Sequence, residues 1–308
     1  MIIKVLGSAA GGGFPQWNCN CRNCAAARAG KPGFMPRTQS SLAISADGES
    51  WALLNASPDL RQQINDNPEL GAHASRGLRH SPIKAVVMTN GDVDHIAGLI
   101  NLREGQAFSI YGSERVLATL ATNSVFNVVA PAHAPRITLP LDAGIPLNGA
   151  GLDLGLSVEA FAVPGKIALY LETEGGNFGS RAGDTIGLHV REDKTGASFY
   201  YIPGCAEVDA PLAARIKGAS LIFFDGTLYT DDEMVAAGLS QKTGKRMGHI
   251  SMSGADGSMA VLAPLGIKRR IYVHINNSNP ALEDHSAARA EIAAQGWEVG
   301  YDGMEVRL

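Results

Sequence analysis

Four side chains with oxygen or nitrogen donor atoms, Asn90, Asp92, Asp94 and His95, lie within six residues of one another. They follow a short apolar run, Ala85–Met88, and precede apolar residues at helical spacing, so they fall in a strand-to-helix loop. Folds that alternate strands and helices place their chemistry at the carboxyl ends of strands. The loop therefore predicts a metal-binding turn. The plainer alternative is a polar turn in which Asp94 caps the next helix.

Three cysteines, Cys19, Cys21 and Cys24, form the pattern C-x-C-x-x-C. Thiolates at such short spacing can converge on one tetrahedral zinc ion, and a closed structural site needs a fourth ligand from elsewhere. A redox dithiol and incidental surface cysteines are the alternatives. Cys205 is either the fourth thiol or a small buried hydrophobic residue, and the second role is favoured because free cysteine is commonly buried.

Further carboxylate and imidazole groups follow later predicted strands. Asp225 ends the apolar run Leu221–Phe224, His274 ends Arg270–Val273, and His249 lies in a glycine-flanked loop. Several strand ends that converge on one rim would assemble a metal site. The alternatives are a turn carboxylate for Asp225 and an ordinary hydrogen-bonded loop histidine for His249.

The composition limits the classes of protein that remain. A chain of 308 residues with 45% hydrophobic and 18% charged residues has a normal globular composition, and its net charge of −4 argues against a nucleic-acid partner. No apolar run approaches the roughly 20 residues of a membrane span, and the N-terminus lacks a signal-peptide layout. We therefore expect a cytoplasmic protein, in which a cysteine cluster indicates metal rather than disulfides.

The elements that must position these residues are mostly strands. The runs at 40–45 and 50–55 predict a hairpin about Asp47-Gly48, and Ile137–Ile145 and Leu152–Pro164 predict two later β segments. Helices are inserted at intervals, without a linker or a break in composition. The pattern predicts a core of two sheets with helices outside.

The loop at 89–95 resembles the T-H-x-H-x-D-H signature of the metallo-β-lactamase superfamily. Asp94 and His95 match that signature, whereas Asn90 and Asp92 stand where it has histidines. His274 matches the last histidine of the superfamily. The resemblance implies an α/β metallo-β-lactamase fold, a four-layer αββα sandwich of two mixed β-sheets flanked by helices, as a single domain over residues 1–308.

The superfamily's middle histidine and bridging aspartate would fall at 163–166 and 203–205, where neither is present, so its two-zinc hydrolase centre is incomplete. The whole chain resembles one divergent branch, the family of pyrroloquinoline quinone (PQQ) biosynthesis protein B. The motifs that carry this resemblance are GGGFPQWNCNCRNC, TNGDVDHIAGLINLREGQ, VPGKIALYLE, YIPGCAE, FFDGTL, GHISMSG, YVHINNSNPAL and GWEVGYDGMEV.

The resemblance implies a role in making PQQ, by iron- and O2-dependent hydroxylation of the tyrosine ring of a cross-linked Glu–Tyr precursor. Two imidazoles and a carboxylate with open positions are also the ligand set of non-haem iron(II) oxygenases. We predict that Asp92, Asp94, His95 and His274 hold one iron(II), with Asn90 as a weak carbonyl ligand. Other divalent metals can substitute.

Two residues are predicted to act at the edge of that metal. His249 would exchange a proton near the substrate, and Asp225 would orient a metal-bound histidine or water. The alternatives are a zinc- or manganese-dependent hydrolase of the superfamily type, and a carrier that hands PQQ or its precursor on towards the periplasm.

The fourth ligand of the structural zinc stays open. Related phosphonate-pathway phosphodiesterases, which share the C-x-C-x-x-C site, complete it with a histidine three residues after the last active-site histidine. Asn277 occupies that position here, beside Cys19, Cys21 and Cys24 as the other ligands. The family also suggests a homodimer.

Overall fold

The computed structural model describes residues 1–171 and 181–308. Strands in these residues are β1 (Ile2–Gly7), β2 (Ser41–Ser45), β3 (Trp51–Leu54), β4 (Ile83–Val87), β5 (Ser109–Gly112), β6 (Arg136–Thr138), β7 (Gly144–Gly149), β8 (Leu152–Ala162), β9 (Ile186–Glu192), β10 (Ser198–Ile202), β11 (Ile222–Asp225), β12 (Arg270–Val273), β13 (Trp297–Val299) and β14 (Glu305–Arg307). Helices are α1 (Arg22–Arg28), α2 (Leu60–Asp66), α3 (Val93–Ile96), α4 (Glu114–Thr122), α5 (Ala210–Ile216), α6 (Glu233–Ala236), α7 (Gly244–Met247), α8 (Ser258–Leu262) and α9 (Ala287–Ala294).

The strands form two mixed sheets of seven. One has the order β14-β1-β2-β3-β4-β5-β6, and the other has the order β13-β12-β11-β10-β9-β8-β7. In the first sheet β3 to β6 run parallel, and in the second β10 to β13 do. The remaining pairs are antiparallel. The predicted four-layer architecture is confirmed.

The layers are held together by apolar side chains on both faces of the central strands. In β4, Val87 packs into the core between the sheets, together with Leu188 and Phe223 of the second sheet. Val86 of the same strand packs into a second core under the outer helices, with Leu120 of α4. Because successive side chains of a strand point to opposite faces, a strand covered on both sides is a continuous apolar run, as Ala85–Val87 is.

Two predictions about the strands had different outcomes. The predicted hairpin is present: β2 and β3 pair antiparallel about Asp47-Gly48, and Gly48 has a φ of 80° that its lack of a Cβ permits. The prediction of one β segment over Ile137–Ile145 was wrong. Its two ends belong to β6 and β7, which lie in different sheets. The chain crosses from one sheet to the other between β6 and β7. Which sheet a strand joins depends on residues far away in the sequence, so the local residue pattern does not predict it.

No helix in residues 1–171 and 181–308 combines the length and the apolar character needed for a membrane span.

Candidate metal centre

Asp94, His95 and His274 come together where β4 of one sheet and β12 of the other end. One ligand atom from each lies within 4.8 Å of the others. Asp94 Oδ2 is 3.0 Å from His274 Nε2, and Asp94 Oδ1 is 3.3 Å from His95 Nδ1. The two imidazole rings stack with centroids 5.2 Å apart. This group of three, here called the ligand triad, has the size of a single-ion site.

The backbone on either side of the triad fixes these positions. Asn90 accepts a hydrogen bond from the backbone N–H of Asp92 through Oδ1 at 2.9 Å, which closes the turn before α3. The carbonyl of His95 then accepts from Ala56 N–H at 2.7 Å. His274 has a φ of 57°, a left-handed conformation that is uncommon for a residue with a Cβ. Backbone strain of this kind concentrates at functional sites.

His95 fits a metal ligand because its ring is otherwise unsatisfied. The residue is 2% exposed, and within the described part of the chain its Nε2 has no hydrogen-bond partner, while its Nδ1 faces the Asp94 carboxylate at 3.3 Å without hydrogen-bond geometry. Leaving a buried polar group without a partner costs about 1–3 kcal/mol. A cation bound by the ring and by Asp94 removes that cost, so the residues present fit a divalent ion.

Asp94 is the charged member of the triad. Burial alone raises the pKa of its carboxyl, but the neighbouring imidazoles of His95 and His274 outweigh burial and hold the pKa well below its usual range. Asp94 therefore stays ionised across the neutral range. Its carboxylate contacts these two imidazoles rather than capping a helix, so the plainer alternative for this loop is not what the structure shows.

Thr227 connects two of the site's histidines, His249 and His274, although its place in FFDGTL is all that marks it in the sequence. Its Oγ1 is 2.6 Å from Asp225 Oδ1, 2.8 Å from His274 Nδ1 and 3.1 Å from His249 Nδ1. The hydroxyl has one proton, and its shortest contact is with the carboxylate. It therefore accepts the Nδ1 proton of His274, and Nε2, which lies 3.0 Å from Asp94 Oδ2, is the ring nitrogen that would bind a cation.

This arrangement makes a prediction about Thr227. Thr227→Val removes the hydroxyl at nearly constant volume, so His274 loses the partner that fixes its tautomer. We expect metal affinity to fall about 10–100-fold, the usual effect of losing a hydrogen-bond partner of a ligating histidine. Thr227→Ser, which keeps the hydroxyl, should bind within a few-fold of wild type. A competition titration against a chelating dye measures both, and equal affinity of the valine and serine variants would refute the role.

Asp225 and His249 form the second pair that the sequence predicted. His249 Nδ1 donates to Asp225 Oδ2 at 2.6 Å, and the backbone N–H of Cys205 donates to the same oxygen at 2.8 Å. Burial lowers the pKa of His249, but the charge and hydrogen bond of Asp225 outweigh burial and raise it. The ring stacks on His274 at 5.2 Å. Asp225 thus orients His249 directly and is hydrogen-bonded to Thr227, which contacts His274. One ligand atom from each of Asp225, His249 and His274 also lies within 4.8 Å of the others, so His274 belongs to two such groups.

The two remaining predicted ligands, Asn90 and Asp92, lie in the wall of the cavity next to the triad. The carboxylate of Asp92 does not belong to the group of ligand atoms that lie within 4.8 Å of one another. The side-chain oxygen of Asn90 accepts a hydrogen bond from the backbone N–H of Asp92. Of the four predicted ligands with a carboxylate or an imidazole, the structure therefore brings three together.

The cysteine cluster contacts the segment that follows His274. Cys19, Cys21 and Cys24 form another group of ligand atoms, and the side-chain amide of Asn277 approaches their Sγ atoms at 3.1, 3.7 and 3.3 Å respectively. The two ends of an amide are interchangeable in such a position. A turned amide places Oδ1 at the open corner, so Asn277 is suitably placed as the fourth ligand.

Cys205 lies apart from that cluster. It is fully buried and its Sγ donates to the carbonyl of Glu207 at 3.1 Å. The prediction that it is a buried hydrophobic residue is confirmed. The loop that carries the three cysteines is tethered independently by Asn23, whose Nδ2 donates to the carbonyls of Asn277 and Asn279 at 3.2 and 3.0 Å.

The triad opens into a cavity of about 460 Å³. Ligand pockets are typically of about 300–1,000 Å³, so this one suits a small molecule. Its wall carries polar and flexible apolar side chains: Gln16, Lys166, Met234, Ser240, Lys242, Met247, His249 and Asn276.

Two seven-stranded sheets between helices, with metal-ligand groups at the strand ends, define a metallo-β-lactamase-type metal-binding protein. The family model for the beta-lactamase superfamily domain matches residues 50–275. Within that superfamily the chain belongs to the coenzyme PQQ synthesis protein B family. It is 51% identical to a member from Methylorubrum extorquens over all of both chains.

Two further comparisons agree. The family member from Rhizobium meliloti (strain 1021) is 51% identical over 99% of this chain and 97% of its own. The crystal structure of Zn(2+)-bound PqqB from Methylobacterium extorquens is 50% identical, covers all of both chains and superposes with a TM-score of 0.94. That structure contains zinc, which agrees with the metal-ligand groups found here.

Proposed function

We propose that the protein acts in PQQ biosynthesis by hydroxylating the tyrosine ring of a cross-linked Glu–Tyr precursor, with iron(II) and O2. One oxygen atom enters the ring in place of hydrogen, and the other leaves as water with two protons and two electrons from an external reductant. The observation that carries this proposal is the ligand triad of two imidazoles and one carboxylate within 4.8 Å.

That donor set separates the site from a hydrolytic two-zinc centre. Two histidines and a carboxylate that leave positions open are typical of non-haem iron(II) oxygenases, and iron(II) at such a site would supply dioxygen activation. Asp94, His95 and His274 would hold the ion, and Thr227 keeps His274 in the tautomer that presents Nε2. Asp92 remains a proposed additional ligand and Asn90 a weak one, since both line the cavity.

His249 is the proposed proton donor and acceptor. Its Nδ1 is held by Asp225, so Nε2 is the atom available to the cavity. A histidine with a carboxylate partner can take a proton from a phenolic or ring position and return it. Asp225, fully buried and hydrogen-bonded to Cys205 N–H and Thr227, orients the ring and touches no substrate.

The test uses protein loaded anaerobically with iron(II), the cross-linked Glu–Tyr amino acid, a reductant and a measured pulse of O2. We expect O2 consumption and a product heavier than the substrate by one oxygen atom. Zinc-loaded protein should show neither. His189→Gln, a histidine that stacks on Tyr200 and does not line the cavity, is the matched control and should react as wild type does.

Two outcomes would overturn the proposal in favour of its alternatives. Absence of O2 uptake with iron, while zinc or manganese supports bond cleavage, would indicate a hydrolase. Tight PQQ binding without turnover, together with PQQ production in cells that is unaffected by His274→Ala, would indicate a carrier. A cytoplasmic location and a homodimer, which the sequence and the family suggest, remain predictions.

A further inference from the structure

We propose that Asn55 is a positioning residue of the metal centre, which holds residues 89–95, here called the metal loop, in the shape that binds the ion. Asn55 directly follows β3 and is fully buried, and it is not among the described residues that line the metal cavity. The inference rests on the part of the proposed function that places an ion on the ligand triad. It does not depend on the reaction being a hydroxylation.

The amide of Asn55 spends most of its hydrogen bonds on Thr89, the first residue of the metal loop. Oδ1 accepts from Thr89 N–H at 2.9 Å and from Thr89 Oγ1 at 3.1 Å, and Nδ2 donates to the same Oγ1 at 3.0 Å. Nδ2 also donates to the hydroxyl of Tyr201 at 3.3 Å. An amide has two donors and two acceptor lone pairs, so all four are engaged. Because a buried amide is unfavourable unless it is paired, this network favours one arrangement of its partners.

The residue after Asn55 holds the other end of the metal loop. Ala56 N–H donates to the carbonyl of His95 at 2.7 Å. The chain that leaves β3 therefore contacts the loop at Thr89 and again at His95, and Asp94 lies between these two points. A shift at either end moves the carboxylate and the imidazole of the loop relative to the third ligand of the triad.

Asn55 also relates the metal loop to the second sheet, which delivers that third ligand. Its φ of 66° is a left-handed conformation that asparagine adopts more readily than most residues. From there its side chain reaches Tyr201 of β10, while the carbonyl of Thr89 accepts from Ile186 N–H of β9 at 2.9 Å. His274 follows β12 of the same sheet. Metal ligands must be held to within about 0.5 Å of their productive geometry, and this network links the two halves of the triad.

The test compares Asn55→Gly with Asn55→Asp, using cobalt(II) added anaerobically as the probe. Glycine keeps the left-handed backbone and removes the amide. Aspartate keeps Oδ1 for Thr89 and offers Oδ2 to the hydroxyl of Tyr201. We expect Asn55→Gly to bind cobalt(II) about 10-fold more weakly, the lower end of the effect of losing an outer partner of a metal ligand. Its visible absorption bands should shift, because they depend on coordination geometry, whereas Asn55→Asp should keep the wild-type spectrum and an affinity within a few-fold of wild type.

Two controls separate this effect from others. Cobalt(II) bound by thiolates has an intense near-ultraviolet charge-transfer band, so binding at the cysteine cluster is counted separately. Asn67→Gly removes another buried amide, at the end of α2, whose Nδ2 donates to the carbonyl of Gln63 at 2.7 Å. Asn67 is not among the described residues that line the cavity, so this variant should keep the wild-type cobalt affinity and spectrum whatever its Tm.

Two results would overturn the positioning role: wild-type affinity and spectrum in Asn55→Gly, or losses in Asn67→Gly equal to those in Asn55→Gly. Thr89→Val, which removes one hydroxyl at nearly constant volume, takes the place of Asn55→Gly if that variant does not fold, and unchanged cobalt binding by it would equally refute the role. The oxygenase proposal has its own readout, O2 uptake with the precursor, so it can fail while Asn55-dependent metal binding stands.

Discussion

Asp94→Asn should bind iron(II) at least about 100-fold more weakly than wild type, since even the loss of a ligand's outer partner typically costs 10–100-fold. The substitution keeps the side chain's shape and removes its charge. Asp94 is the carboxylate of the ligand triad, and its two oxygens contact the imidazoles of His95 and His274. Anaerobic titration with iron(II) against a chromophoric chelator measures the affinity, and O2 uptake should fall with it.

Asp92→Asn is the comparison variant for that experiment, because it tests whether the proposed additional ligand contributes as much as the triad does. It makes the same chemical change two residues away, at a carboxylate that lines the cavity but lies outside the triad's group of ligand atoms. We expect it to weaken iron binding far less than Asp94→Asn does. Equal losses at both positions would favour the four-ligand set of Asp92, Asp94, His95 and His274. Undiminished iron binding by Asp94→Asn would contradict the triad itself.

The second large effect is expected at the cysteine cluster. Cys21→Ser should purify with about one zinc ion per chain fewer than wild type, because a closed structural site needs all its ligands. The Tm should fall by roughly 5–10 °C, since lost metal binding is lost folding free energy and a chain of this size loses about 2 °C per kcal/mol. Metal analysis of protein purified without chelators, with thermal unfolding, measures both.

Cys205→Ser tests whether the zinc loss is specific to the cluster. It makes the same substitution at a buried cysteine that lies outside the cluster, so its zinc content should equal that of wild type. The loop of Cys21→Ser should still dock, because Asn23 donates to the carbonyls of Asn277 and Asn279 without any metal. Unchanged zinc in Cys21→Ser would refute the structural site.

The cysteine cluster also shows where sequence distance misleads. Cys21 and His274 are far apart in the chain, so the sequence suggested that the predicted zinc site lies far from the predicted active-site metal. The structure places Asn277, three residues after His274, against all three sulfur atoms. The segment that carries His274 is therefore anchored to the cysteine loop, because His274 and Asn277 both follow the end of β12.

Local features of the fold were predictable because their causes lie within a few residues. The hairpin at Asp47-Gly48 follows from turn residues between two apolar runs. Helix α4 follows from Ser113, which caps it by accepting from Val116 N–H at 3.1 Å. The error at Ile137–Ile145 arose because its cause is not local. One end of that segment pairs with β5 and the other end with β8, which lie in different sheets, and the packing of the whole core determines these pairings.

The sequence by itself determined the kinds of donor groups, their places after strands, and the family, because side-chain chemistry and short-range periodicity are local properties. The tertiary structure decided which donors meet. Asp94 and His274 are 180 residues apart and come within 3.0 Å only because two sheets pack with their strand ends at one rim. The same packing placed Thr227 between Asp225 and His274, left Asp92 outside the triad, and brought Lys166 and Lys242 to one cavity. The meeting of residues from distant parts of the chain depends on how the whole core packs, so a local sequence pattern cannot predict it.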